Sequence, residues 1–222
     1  MKKQKKFRGM VTLLLALMMA FACATTTLAA ENTNDVTDSV VAKITNEETG
    51  ETIVLDVDDI TFSRSVESNA NPINSRTSWR LGTTEETIVD TYTAKFAIPS
   101  DNSKTRSSAS GNKEENYVIA TGTVVYTKNG EHITISRCYG GWTTTSQYIY
   151  MTDREVWLYS GIPGGSYLSK TPTSNSFDYY TSWGETLYYP GTDYSGPRLF
   201  TTATARVSGM NSYYNIELLV KI

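Results

Sequence analysis

The stretch YVIATGTVVYTKNGEHITISRCYGGW, Tyr117–Trp142, decides the fold. Apolar and polar residues alternate on both sides of Asn129-Gly130, a dipeptide that favours a two-residue hairpin turn. Such a turn predicts a register in which Lys128 faces Glu131, Tyr126 faces Ile133, Val124 faces Ile135 and Gly122 faces Arg137. The stretch therefore predicts two long antiparallel strands.

The predicted register sorts the side chains of this hairpin onto two faces. One face is mostly apolar and collects Val118, Ala120, Val124, Tyr126, Ile133, Ile135 and Tyr139. The other is mostly polar and collects Thr121, Thr123, Val125, Thr127, His132, Thr134, Ser136 and Cys138. One apolar face and one polar face are typical of an antiparallel sheet that is covered on one side only.

Strand patterns recur outside this hairpin. Residues 39–45 and 52–57 flank a turn in which Gly50 is placed for a positive φ, and residues 199–207 and 216–222 alternate in the same way. Residues 155–159 form a further short strand, and 83–97 suit either a helix or a strand, with the strand favoured by their threonine content. The sequence predicts an all-β protein, an antiparallel β-sandwich of roughly eight to ten short strands.

The first thirty residues have the pattern of a secretory signal peptide. Five basic residues precede the apolar run 11–24, and small residues end at Ala30 before a polar segment, so we expect residues 1–30 to be removed and the protein to be secreted. They hold five of the 20 basic residues and none of the 23 acidic ones, which leaves residues 31–222 with a formal net charge of −8. Such an acidic chain argues against nucleic acid or anionic membranes as partners.

Composition divides the remaining chain. Residues 31–99 form a β-rich segment with few aromatics, 100–116 are a polar linker or loop, and 117–222 form an aromatic-rich β-sandwich domain that could also be one domain with 31–99. The second half, TGTVVYTKNGEHITISRCYGGW followed by a short strand and a later aromatic hairpin, resembles a family of uncharacterised small exported β-rich proteins of Gram-positive bacteria. The resemblance implies export and a β architecture and supplies no site residues.

Few residues suit catalysis or metal binding. His132 and Cys138 fall on the same predicted strand face, but about 20 Å apart along a regular strand, which excludes a Cys-His pair. We expect no cofactor and no metal, because one histidine cannot form a typical zinc site and Asp56, Asp58 and Asp59 lack the pattern of a calcium loop. A pair of acids acting on a glycosidic bond stays open, although the candidates are scattered near predicted turns: Glu131, Asp153, Glu155, Asp178, Glu185 and Asp193.

The segment Phe177–Gly196 holds seven aromatic residues among Gly, Thr, Ser and Asp. Neighbouring strand residues point to opposite faces, so one ring of each tyrosine doublet should lie outside the core. Exposed rings with a polar tip suit ligand contacts, and the predicted ligand-binding residues are Trp183, Tyr180, Tyr189 and Tyr194. We expect a non-catalytic secreted protein that binds an extracellular glycan or cell-wall polymer; the alternatives are a protein-interaction or antagonistic factor and an unrecognised hydrolase.

Overall fold

The structure is a computed structural model that describes residues 40–68, 86–98, 116–161, 165–188 and 196–222. These residues form twelve strands in two antiparallel sheets, with a single 3₁₀ turn at Val57–Asp59 and no α-helix. The predicted all-β sandwich is confirmed. Within the same residues, no helix is long and apolar enough to cross a membrane.

The strands of sheet A are β1 (Val40–Asn46), β2 (Thr52–Val54), β7 (Ile149–Tyr159), β8 (Tyr167–Lys170), β11 (Arg198–Val207) and β12 (Tyr213–Lys221). They lie in the order β2-β1-β12-β11-β7-β8. The strands of sheet B are β3 (Ile60–Ser68), β4 (Glu86–Ile98), β5 (Asn116–Asn129), β6 (His132–Thr144), β9 (Ser176–Tyr180) and β10 (Thr186–Leu187). They lie in the order β10-β6-β5-β4-β3, and β9 pairs with β6 beside β10. The count exceeds the expected eight to ten short strands, and β4, β5 and β6 have 13, 14 and 13 residues.

Both sheets combine strands from the two halves of the sequence. In sheet A, β1 pairs with β12, and in sheet B, β4 pairs with β5. All described residues lie in one compact unit within Glu31–Ile222. Residues 1–30 and 100–115 of the predicted signal peptide and linker lie outside the described residues, whereas Asn116 begins β5.

The core lies between the two sheets, and the terminal hairpin follows the predicted alternation. The inner face of β5 meets β11 and β12 at Gly122, where an added Cβ would lie 3.1 Å from Leu199 Cδ2 and 3.5 Å from Leu218 Cδ2. The terminal hairpin places Leu199, Leu218 and Val220 inward as predicted, with exposed fractions of at most 1%. Residues 86–98 form a strand, and Gly50 has the expected positive φ of 72°.

The central hairpin turns one residue later than predicted. Asn129 pairs with His132 and Lys128 with Ile133, so the turn residues are Gly130 and Glu131. Gly130 has a φ of 58°, whereas Glu131 does not have a positive φ, so a type I′ turn, which needs positive φ at both turn residues, is excluded. The predicted register is therefore wrong at all four pairs that we named: Lys128–Glu131, Tyr126–Ile133, Val124–Ile135 and Gly122–Arg137.

A β-bulge in β6 reverses the predicted faces beyond Ser136. Tyr126 pairs with Ile135 and Val125 with Arg137, which leaves Ser136 as an extra residue. A bulge of one residue shifts the alternation, so Cys138 points into the core opposite Val124, and Tyr139 points outward. The assignments of Cys138 to the polar face and Tyr139 to the buried face are wrong, and Cys138 does not share a face with the exposed His132.

The aromatic segment does not form the predicted hairpin. Both β9 and β10 pair antiparallel with β6, where Tyr180 lies opposite Arg137 and Thr186 opposite Ile133. They are two pieces of one edge strand, and residues 181–185 interrupt it. Within the doublet, Tyr179 is half-buried and Tyr180 is exposed, which agrees with one ring inside and one outside.

A charged cluster at the inner face near the other edge of sheet B joins a buried carboxylate, Asp90, to the half-exposed side chain of Arg64. Arg64 donates from Nε to Asp90 Oδ1 at 2.7 Å and from Nη2 to Oδ2 at 2.8 Å, and the Tyr126 hydroxyl donates to Oδ2 at 2.9 Å. Asp90 is fully buried, so these bonds replace its hydration. Burial and the neighbouring Asp90 carboxylate raise the pKa of Tyr126, which keeps its hydroxyl a donor.

Candidate ligand-binding face

The four predicted ligand-binding residues differ in their surroundings. Tyr180 is 70% exposed on the outer face of sheet B. Trp183 is half-buried and packs against the core from the interruption between β9 and β10. Tyr189 and Tyr194 lie outside the described residues. Of the two described residues, Tyr180 is the one exposed enough to contact a ligand.

Tyr180 belongs to a cluster on β6 and β9, which we call the Arg137 cluster: Arg137, Tyr139, Asp178 and Tyr180. The guanidinium carbon of Arg137 lies 4.6 Å from the ring centroid of Tyr139 and 4.8 Å from that of Tyr180. Its Nε donates to Asp178 Oδ1 at 2.7 Å, and its Nη2 donates to Oδ2 at 2.6 Å. The bulge at Ser136 creates this cluster because it turns both Arg137 and Tyr139 outward.

The ion pair of the cluster is fixed in orientation but open to solvent. The side chains of Arg137 and Asp178 are 33% and 47% exposed. The bidentate bond lowers the pKa of Asp178 and raises that of Arg137, so both groups are charged at neutral pH. Exposed ion pairs contribute little to stability. The arrangement therefore offers oriented donors and acceptors more than it stabilises the fold.

A row of hydroxyl groups continues from the cluster across sheet B. We call this surface the hydroxyl face, and it consists of two rows that cross β3, β4 and β5. The first row is Ser63, Thr91 and Thr123, and the second row is Thr61, Thr93 and Thr121. Thr91 and Thr123 Oγ1 lie 2.9 Å apart, and Thr93 and Thr121 Oγ1 lie 3.3 Å apart. Thr123 lies opposite Tyr139, and Tyr139 lies opposite Asp178, so the first row joins the cluster directly.

The hydroxyl face has regular spacing. Neighbouring strands place the groups of one row roughly 4.8 Å apart, and the two rows are about 6.8 Å apart along each strand. Thr61 and Ser63 are exposed and Thr123 is buried, so the accessible hydroxyls lie toward the β3 edge. The surface presents neutral polar groups at one end and aromatic and charged groups at the other.

Other candidate chemistries find no support among the described residues. Cys138 is fully buried, and burial raises the pKa of its thiol to about 12, so it is not a thiolate at neutral pH. Of the candidate acids, Asp153 and Glu155 lie in sheet A and Asp178 in sheet B. Glu131 lies in the turn between β5 and β6, Glu185 directly precedes β10, and Asp193 lies outside the described residues. The described part of the chain contains no group of three or more His, Cys, Asp or Glu residues that could hold a metal.

The sequence contained the cluster in two short patterns. Arg137 and Tyr139 are separated by two positions, as are Asp178 and Tyr180, which is the spacing of residues on one strand face. The predicted register placed Tyr139 inside, because nothing in the local sequence marks Ser136 as a bulge. A scan against protein-family models and searches of curated proteins and of solved structures found no match.

Proposed function

We propose that this protein is a secreted, non-catalytic binding module for an extracellular glycan or cell-wall polymer. The observation that carries the proposal is the exposed Arg137 cluster, which continues in register into the hydroxyl face. Exported location rests on the signal-peptide pattern of residues 1–30.

The chemistry of a polysaccharide matches this surface. A sugar ring has apolar C–H groups that pack on an aromatic ring, and hydroxyls that exchange hydrogen bonds with charged and hydroxyl side chains. Tyr180 supplies an exposed ring, and the pair Arg137–Asp178 supplies donors and acceptors beside it. An extended chain lying across the strands would pass from Tyr180 over the threonine rows to β3.

A retention assay on insoluble polymers tests this proposal. Residues 31–222 are incubated with peptidoglycan, cellulose, xylan and mucin, with albumin as the protein control. We expect saturable retention on one polymer and a loss of affinity of about tenfold in Tyr180→Ala, equivalent to about 1.4 kcal/mol.

The matched control is Tyr167→Ala, because Tyr167 is 71% exposed on β8 of the other sheet. It should bind as the unaltered protein does. Trp183→Ala is unsuitable as a site variant, since Trp183 packs against the core. Absence of retention on every polymer, or equal retention by Tyr180→Ala, would refute the glycan proposal.

The second candidate is a protein-interaction or antagonistic factor that uses the same surface. Arginine and tyrosine are enriched in the energetically dominant residues of protein interfaces, and the cluster has one arginine between two tyrosines. Binding to a cell-surface protein that is lost in Tyr180→Ala, without retention on any polymer, would favour this function over the first.

A further inference from the structure

The outer face of sheet A carries a row of apolar side chains that the proposed function does not use. Trp157, Phe200, Leu219 and Val41 are cross-strand neighbours on β7, β11, β12 and β1. Their chain neighbours, such as Val156, Leu199 and Leu218, are buried, so these four residues point away from the core. All four are partly exposed. We call them the apolar row.

Charged rows of opposite sign flank the apolar row. On one side, Arg198 lies opposite Lys221, and both are basic. On the other side are Glu155 and Glu217, which both lie opposite Thr202. Lys43 Nζ lies 2.8 Å from Glu217 Oε2, so Lys43 offsets part of the acidic charge of this second row.

This pattern is complementary to itself. A two-fold axis that runs along the apolar row would place a second copy face to face, with each residue of the row against its own counterpart. The same rotation exchanges the two flanking rows, so Lys221 of one copy would lie over Glu217 of the other, and Arg198 would lie over Thr202, between Glu155 and Glu217. Contacts of this isologous kind are the usual basis of homodimers.

We propose that two copies of this protein associate through the outer face of sheet A. Trp157 and Phe200 stack on each other with ring centroids 5.2 Å apart and an interplanar angle of 26°, so they present one continuous apolar surface. The six strands of sheet A have 3 to 11 residues each and together cover roughly 700 Å², at about 3.4 Å per residue and 4.8 Å between strands. This is close to the contribution of one partner to a standard protein interface, about 800 Å².

Sedimentation velocity of residues 31–222 over roughly 1 to 100 µM tests the proposal. We expect a reversible monomer–dimer equilibrium with a dissociation constant in the micromolar range, because the row is short. Phe200→Glu should weaken it at least tenfold. Tyr180→Glu, on the opposite side of the sandwich, should not change it. A monomer throughout this range would overturn the proposal.

Charge reversal and cross-linking test the orientation. Lys221→Glu should weaken the dimer at low salt, and adding Glu217→Lys should restore it, because the two rows face each other. Leu219→Cys lies on the axis, and because sheets that pack face to face are about 10 Å apart, a short bis-maleimide should cross-link it between copies. Tyr180→Cys should not be cross-linked in this way, and the native Cys138 is buried. Equal cross-linking of both variants, or no rescue by the second substitution, would contradict this two-fold arrangement. These results do not depend on glycan retention.

Discussion

At the scale of single residues, the thiol of Cys138 shows how burial determines reactivity. It is fully buried opposite Val124, and burial raises its pKa to about 12 from an ordinary value of 9.0. A thiol reagent at neutral pH should therefore modify Cys138 only after unfolding.

The same raised pKa predicts a loss of stability at alkaline pH. Above pH 9.0 the unfolded chain loses the thiol proton, whereas the folded protein retains it until about pH 12. The unfolded state therefore binds fewer protons, and the free energy of unfolding falls as the pH rises. Between pH 7.5 and 10, ionisation of this thiol in the unfolded chain should lower the free energy of unfolding by about 1.4 kcal/mol.

Urea unfolding of the native protein and Cys138→Ala at both pH values measures this effect. Cys138→Ala should lose less stability than the native protein over this interval, whatever the cost of the substitution at pH 7.5. Parallel losses in the two proteins would show that the thiol does not titrate as described. The raised pKa of Tyr126 acts in the same direction at higher pH and is common to both proteins.

At the scale of elements, β6 depends on close approach of its neighbours at Gly140. An added Cβ there would lie 2.0 Å from the backbone oxygen of Thr121 in β5. We expect Gly140→Ala to lower the free energy of unfolding by about 3 kcal/mol, because neither backbone can move without breaking the strand pairing.

The control for this substitution is Gly184→Ala, since an added Cβ at Gly184 meets no atom within 4 Å. It should change stability by no more than about 0.5 kcal/mol. Denaturant unfolding monitored by tryptophan fluorescence compares the two variants. Equal stability of both would refute the role of close backbone approach in β6.

The elements also show what a sequence can and cannot predict. Alternation over 199–222 gave the right inward residues, because both strands are regular and one face is buried. In β6 the alternation was right up to Ile135 and wrong beyond it, because a bulge depends on how the strand fits its partners. The same bulge prevents the Arg137 cluster from being predicted. The sequence predicts a hairpin for β9 and β10, because their shared partner β6 lies 35 to 55 residues away in the chain.

At the scale of the whole molecule, the two halves of the chain complete each other's sheets. Strand β1 pairs with β12 along Val40–Asn46, and β4 pairs with β5 along Glu86–Ile98. Without β1 and β4, β12 and β5 would each lose a neighbouring strand and the hydrogen-bond partners along that edge. 

We therefore expect residues 117–222 not to fold without the first half. The inner residues Phe96 and Ala94 of β4 would be absent, and the buried face of β5 would be exposed. Near-ultraviolet circular dichroism of this fragment should lack the signal of residues 31–222. A fragment with native-like dichroism and cooperative unfolding would show that the aromatic half is an independent domain.

The pairing of β1 with β12 has a consequence for the proposed export. Val40 pairs with Val220, which lies 180 positions further along the chain, so sheet A cannot close until nearly all of these residues are available. Pairing between such distant segments is slow, because a large loop must close before any contact forms. This order of assembly would suit a chain that crosses a membrane unfolded, because β1 cannot pair until β12 is available and sheet A therefore forms late.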